Sequence, residues 1–269
     1  MPTLVRTWNL FHGNTAPPDG SSYLEEMVTL ASADAPALLC LQEVPPSALP
    51  RLEEWSGMAC HGVVARAPSL GPLPISVALG ARITRLAPAL LRSLASGQAN
   101  AVLVRRDVAV LDGATLALNP PGFVRSSAAL LGLDAVAALA WVREPRIAQA
   151  LRLRLPDGRA LRLVHLHATS FPSDPAVPDA EVARAAGWLR ALAVPGEIAV
   201  LAGDLNVPPA ASAALQSLAT TGFSAPADWI DQVLVRGAAA SAPLAWEPDR
   251  RARAGRLLSD HTPVEVTIA

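Results

Sequence analysis

The sequence contains no lysine, so all 22 of its basic residues are arginine. Alanine is abundant as well, and together these are a bias of the whole chain rather than a functional signal. A large excess of either sign of charge is also missing. A formal net charge of −1 argues against a protein built around a broad nucleic-acid footprint, while a local basic rim stays compatible with it. Cys40 and Cys60 are the only two cysteines, which excludes a disulfide framework. Cys40 lies in the apolar run 37–41 and reads as a buried free thiol. No tract is long and apolar enough for a membrane span: the longest, 128–142, is short and is interrupted by Asp134. The first apolar stretch, 4–11, carries Arg6 and Asn9, so no secretory leader is expected and a cytoplasmic protein is the default.

What is present is apolar residue: 51% of 269 positions, enough to bury a large core within one domain spanning 1–269. Strand-like apolar runs alternate with helical stretches, which favours an α/β or layered α+β sandwich. The pattern predicts strands over 4–8, 38–42, 99–104, 198–202, 229–235 and 263–268. Helices are expected to about residue 33 from a capping box of Ser22 and Glu25, over 81–95, and over 179–192. Two further strands, 147–155 and 161–167, flank Pro156-Asp157-Gly158, a hairpin signal. In the first arm, Arg152 and Arg154 alternate with leucines and read as its solvent face. The apolar segment 123–141 reads as an ordinary core helix. No repeat, linker or low-complexity tail divides the chain.

The polar residues that stand out come just after apolar runs. They are Asn9 in Thr7-Trp8-Asn9, Glu43 in Leu41-Gln42-Glu43, and His167 in His165-Leu166-His167. Asp204 and Asn206 follow in Gly203-Asp204-Leu205-Asn206, then Asp231 in Trp229-Ile230-Asp231, and the pair Asp260-His261. Strand ends on one sheet edge make a rigid rim where distant residues can converge. Singly, each has a bland explanation: a turn residue, a helix N-terminal charge, an Asx-turn. As an ordered set they are hard to assign to chance.

In this order, Thr-Trp-Asn, Leu-Gln-Glu, a His-ended strand, Gly-Asp-Leu-Asn, Ile-Asp and Ser-Asp-His-Thr-Pro-Val resemble the endonuclease/exonuclease/phosphatase superfamily, the DNase I-like fold, across positions 7 to 264. The resemblance implies a four-layer α/β/β/α sandwich, two packed mixed β-sheets flanked by helices. It implies a phosphoester hydrolase that uses Mg²⁺ or Mn²⁺, with Asn9, Glu43 and Asp260 at the metal. Such hard oxygen donors suit these ions, and converging carboxylates without a cation would repel one another. His261 is then base or phosphate contact, with Asp231 orienting its ring. Asp204 positions or activates the water, and Asn206 bonds to the developing charge, its side chain facing the same way as Asp204 if the segment is extended. His167 contacts phosphate or protonates the leaving oxygen. Asn100 and Arg146 are candidates for substrate contact, Arg146 through bidentate pairing.

The family's usual Asn-Thr-His-Leu reads His165-Leu166-His167-Ala168 here, which leaves the orientation of His167 open. His165 reads as a satisfied strand histidine, and His12 and His61 as loop or structural residues. Arg250, Arg251, Arg253 and Arg256 precede Asp260 as either a phosphate clamp or a solvated loop. The only tyrosine is Tyr23, which disfavours the abasic-site endonuclease branch. The phosphodiesterase reading is nuclease-like, with nucleic acid as one candidate partner and no protein partner implied. The alternatives are a phosphatase or phosphodiesterase acting on a lipid, sugar or other small phosphoester, and a catalytically silent binding module on the same fold.

Overall fold

The computed structural model describes residues 2–67, 69–70, 73–74, 76 and 97–269; the helix expected over 81–95 lies outside them. In chain order the main elements are β1 (Thr3–Asn9), α1 (Leu24–Ser32), β2 (Leu38–Val44), α2 (Leu52–Ser56), β3 (Ala59–Arg66) and β4 (Gln98–Val104). These are followed by β5 (Ala109–Ala117), α3 (Pro121–Leu131), α4 (Ala135–Arg143), β6 (Ile147–Arg154), β7 (Ala160–His167) and α5 (Ala176–Leu192). The last are β8 (Ile198–Asp204), α6 (Ala213–Thr220), β9 (Asp231–Arg236), β10 (Leu244–Ala245) and β11 (Val264–Ile268). This is a mixed α/β fold with two main mixed sheets flanked by helices, as expected. The chain divides into two compact units, one of Thr3–Asp107 with Leu244–Glu265, the other of Met1–Pro2, Val108–Pro243 and Val266–Ala269.

The sheet of the first unit has the order β10-β11-β1-β2-β4-β3. β1 and β2 run parallel, with Trp8 opposite Leu41 and Asn9 opposite Gln42. Period-2 alternation sends Trp8 into a core with Met27 and Val28 of α1 and Leu39, Leu41 and Leu103 of the sheet. Arg6 shares the face of Trp8 and is fully buried. Its guanidinium donates two bonds of 2.7 Å to Asp34 and one of 2.7 Å from Nε to Glu265. It also lies 4.6 Å from the Trp246 ring centre, so the buried charge is balanced on each side. The capping box at Ser22 does not form. Helix α1 starts after Tyr23 with no side-chain cap, and the preceding turn is closed by Asp19, which accepts the Ser21 N–H (2.9 Å) and the Tyr23 hydroxyl (2.7 Å).

The sheet of the second unit has the order β9-β8-β7-β6-β5. The predicted hairpin joins β6 and β7, with Gly158 at φ +88 in its turn. Arg154 is exposed, while Arg152 pairs with Glu197 at 2.6 Å. Val164, Leu166 and Leu201 pack with Val182, Ala185 and Leu189 of α5 and Leu215 and Leu218 of α6. The segment 123–141 is not a core helix but two helices. Gly132 at φ +69 ends α3, and the Asp134 carboxylate accepts the Ala137 N–H at 2.8 Å to start α4. Only Val124, Ala128 and Trp141 of the two are buried, and Leu130 is 87% exposed. Strand β9 begins at Asp231 rather than 229, because the Gln232 side chain bonds both to the Ala227 N–H (2.8 Å) and to its carbonyl (3.0 Å), folding residues 227–230 back as a loop.

One glycine is dictated by close approach. At Gly203, φ is +141 and an added Cβ would lie 1.8 Å from the Leu166 carbonyl oxygen of the neighbouring strand. That approach lets β8 pair with β7 up to His167 opposite Asp204. Gly203→Ala is therefore expected to destabilise the fold by roughly 2–4 kcal/mol, read as a lowered denaturation midpoint. A midpoint equal to wild type would refute the steric argument.

Candidate active site

In the first unit, the polar cluster grows from a bulge. The pairing of β2 with β4 shifts register between Leu41 and Val44, and Glu43 takes φ +53. A bulge of this kind re-aims a side chain at the end of a strand. Asn100 on β4 is buried and sits opposite the bulge, between the partners of Leu41 and Val44. At the end of β1, Asn9 donates from Nδ2 to Glu43 Oε1 at 3.2 Å and accepts the Phe11 N–H at 3.0 Å. His12 Nε2 lies 3.3 Å from Glu43 Oε2.

The loop with Asp260 and His261 is pinned to the same strand end. Ser259 Oγ donates to the Asn9 carbonyl at 2.7 Å and accepts the His261 N–H at 3.0 Å, while Trp8 Nε1 donates to the His261 carbonyl at 3.0 Å. Arg251, itself buried, donates to the carbonyls of Leu258 (3.0 Å) and Ser259 (2.8 Å) and to Thr262 Oγ1 (2.9 Å). Asp260 exposes surface to solvent, yet the protein around it strips enough water to raise its carboxyl above the usual range. The Glu43 charge raises it further, and His261 and neighbouring hydrogen bonds oppose the rise.

In the second unit, three side chains stand abreast at one sheet end. His167 is opposite Asp204 in the parallel pair β7–β8, and Asp204 is opposite Asp231 in the antiparallel pair β8–β9. A carboxylate oxygen from each of Asp204 and Asp231 lies within 4.8 Å of the other. His167 Nε2 is 3.4 Å from Asp204 Oδ2, and Arg146 NH1 is 2.9 Å from His167 Nδ1. The same guanidinium nitrogen lies 3.2 Å from His167 Nε2, so Arg146 faces the ring edge that carries both nitrogens and holds the imidazole beside Asp204. Arg146 is 4% exposed and also bonds to Glu144 at 2.9 Å.

Asn206 is not in extended backbone: it takes φ +49, its N–H bonds to Asp204 Oδ1 (3.0 Å), and its Nδ2 donates to the Ala168 carbonyl (2.9 Å). It is held beside Asp204 by an Asx-type turn rather than by strand alternation. Behind this end lies Glu181, fully buried on α5. It accepts from Trp141 Nε1 (2.6 Å) and from the Thr169 N–H and hydroxyl (2.7 Å each). Burial raises its carboxyl, and those donors oppose the rise. His165 is fully buried, and burial pushes its imidazole down to about 3, so it is neutral at physiological pH.

Against these strand ends the profile of the Endonuclease/Exonuclease/phosphatase family matches residues 7–261. The chain belongs to this family. Membership implies a phosphoester substrate, and no described helix is long and apolar enough to cross a membrane. Among solved structures, the endonuclease/exonuclease/phosphatase from Beutenbergia cavernae shares 16% identity at a TM-score of 0.67, covering 99% of this chain and 71% of that one. The human Nocturnin catalytic domain, solved with a bound sulfate anion, shares 15% identity at 0.65 and covers 100% and 93%. TDP2 from Caenorhabditis elegans shares 16% at 0.63 and covers 100% and 74%. At such identities the likeness is one of fold. No curated protein sequence is significantly similar to the chain.

In the sequence His12 reads as a loop residue, Glu181 carries no motif, and Arg251 stands between two readings. The only available signals were proximity of His12 to Asn9 and the apolar periodicity that puts Glu181 on a buried helix face. The neighbouring arginines are committed within the protein. Arg250 stacks 3.5 Å over Trp246, Arg253 pairs with Glu26, and Arg256 donates to the Pro17 carbonyl at 2.9 Å.

Proposed function

We propose that this family member is a divalent-metal-dependent phosphodiester hydrolase of nuclease-like type. The observation that carries the reading is the row His167, Asp204, Asp231 at one sheet end, with Arg146 against the ring of His167. The donor set of the first unit fits a hard cation. Glu43 and Asp260 are oxygen donors whose charges oppose one another, and a shared Mg²⁺ or Mn²⁺ would relieve that opposition. Asn9 keeps Glu43 in place through its Nδ2 bond and would help hold the ion. The metal supplies charge neutralisation at the phosphate when bound.

The protein's own groups carry the remaining steps. Asp204 positions the attacking water, and His261 serves as base or phosphate contact, oriented by Asp231. As the water oxygen bonds to phosphorus, the ester P–O bond breaks and the leaving oxygen takes a proton from the imidazolium form of His167, which ends as neutral imidazole. Asn206 and Asn100 bond to phosphate oxygens, and Arg146 acts on them through His167. The whole chain works as one domain in this reading.

A second reading, a lipid, sugar or other small phosphoester as substrate, gains support from Arg250, Arg251, Arg253 and Arg256 being engaged within the protein rather than free to clamp a long backbone.

Purified protein is expected to cleave supercoiled plasmid, single-stranded DNA or RNA with Mn²⁺ or Mg²⁺. Cleavage should stop with chelator and in His261→Ala. Failure on every nucleic acid would overturn the nuclease reading. Turnover of a small phosphodiester in the same metal-dependent way would then favour the second reading, and no turnover of either class would leave a silent binding module.

A further inference from the structure

The contact between His12 and Glu43 lies outside every role assigned above. His12 follows the end of β1 in a short 3₁₀ turn, where it takes φ +53. The turn is tied down by Gly13 N–H to the Leu10 carbonyl (2.7 Å) and by Asn14, which bonds to the Phe11 carbonyl through its backbone (2.9 Å) and its Nδ2 (2.7 Å). Gly13 leaves no room for a side chain, since a Cβ there would come 2.5 Å from Leu24. The imidazole is thus delivered by fixed backbone, is 9% exposed, and stands with Nε2 3.3 Å from Glu43 Oε2.

Two donors that occupy adjacent positions on an octahedral ion with bonds of ~2.1 Å lie roughly 3.0 Å apart. The separation seen here is that of a ligand pair about to share an ion as much as that of a simple ion pair. The geometry points to His12 as a nitrogen donor beside the Glu43 carboxylate, which biases the proposed centre toward Mn²⁺ over Mg²⁺. This inference rests on the metal-dependent reading above. The chemical reason for the bias is that imidazole suits transition metals, whereas Mg²⁺ prefers an all-oxygen shell. The competing account, in which His12 only pairs with Glu43, predicts the opposite sign: removing His12 would free the carboxylate and leave metal affinity equal or tighter.

The test is metal binding by titration calorimetry, using the metal ions alone, on wild type and His12→Asn. Asparagine tolerates the left-handed backbone of this position, and thermal melts in chelator check that the variant folds. The expected result is a loss of Mn²⁺ affinity of about 10-fold or more with a change in Mg²⁺ affinity below about 3-fold. Nitrogen modulation from a bound imidazole, read by pulsed electron paramagnetic resonance of the Mn²⁺ protein, should weaken or vanish in the variant. Equal or tighter Mn²⁺ binding in His12→Asn, or an unchanged nitrogen signal, would overturn the role of His12 while leaving the metal centre standing. Absence of any Mn²⁺ or Mg²⁺ binding by the wild type would overturn both. If His12→Asn does not fold, His12→Gln carries the same comparison.

Discussion

Replacing Glu43 by glutamine is expected to lower Mn²⁺ affinity at least ~100-fold and turnover at least ~1,000-fold, while slightly stabilising the metal-free protein near neutral pH. The first half follows from removing a carboxylate from the proposed donor set. The second follows from Asp260, whose carboxyl is raised above its usual 3.8 by burial first and by the Glu43 charge among the further causes. A raised folded-state value means that the folded protein holds the proton more tightly than the unfolded chain. The corresponding stability is complete below 3.8 and is lost as pH rises through the folded value. At neutral pH the metal-free protein therefore carries the cost of an ionised Asp260, and Glu43→Gln removes part of it. Because Asp260 is partly open to solvent, screening limits the gain to about a few tenths of a kcal/mol. Glutamine can still accept from Asn9 Nδ2, so the bulge has a partner left. Calorimetric Mn²⁺ titration and urea melts in chelator read the two halves separately. An unchanged Mn²⁺ isotherm in the variant would sink the metal assignment, and a less stable metal-free variant would sink the electrostatic account.

Stability given up at a functional site is a common mark of function, and the same residues show how far a sequence can reveal a candidate site. Asn9, Glu43, His167 and Asp204 were legible because each ends an apolar run, and a strand that leaves the core places its last residue at the rim whatever else happens. Glycine before Asp204 was legible as a motif, but its reason is a contact with Leu166 from another strand. Three-dimensional closure of that kind has no local signature. The bulge at Glu43 and the left-handed Asn206 were not legible either, since each depends on hydrogen bonds that the rest of the fold supplies. The extended backbone assumed for Asn206 was accordingly replaced by an Asx-type turn.

Strands β3, β5 and β10, missed in the sequence, all lie at the edges of their sheets. β5 is exposed or half-exposed at every position, so no buried face writes an alternation into it, and pairing with β6 alone makes it a strand. The opposite error occurred at 123–141, where continuous apolarity read as one core helix. Gly132 and Asp134 divide it, and Leu130 and Val136 face solvent; composition reported hydrophobicity without reporting which face would be covered. Glu181 is the complementary case. A carboxylate on a helix reads as solvated, and only the fold brings Trp141 and Thr169 to it.

Asp231→Asn is expected to reduce kcat by about 100- to 10,000-fold with KM within about 3-fold of wild type. Asparagine keeps the shape of the side chain and the pairing of β9 with β8, in which Asp231 stands opposite Asp204. It changes only the charge and the acceptor capacity. If Asp231 orients His261, as proposed, the amide can no longer accept from the ring and stabilise its charged form at once, and the loss falls on turnover rather than on substrate binding. If Asp231 is instead only a like-charged neighbour of Asp204, the substitution removes a repulsion between two buried carboxylates and turnover stays level while stability rises. Steady-state kinetics and melts on the same preparation separate these accounts. An unaffected rate with a higher midpoint would refute the orienting role. A lower rate at an equal or higher midpoint would support it, because a variant that is at least as stable and still slow has lost chemistry rather than structure.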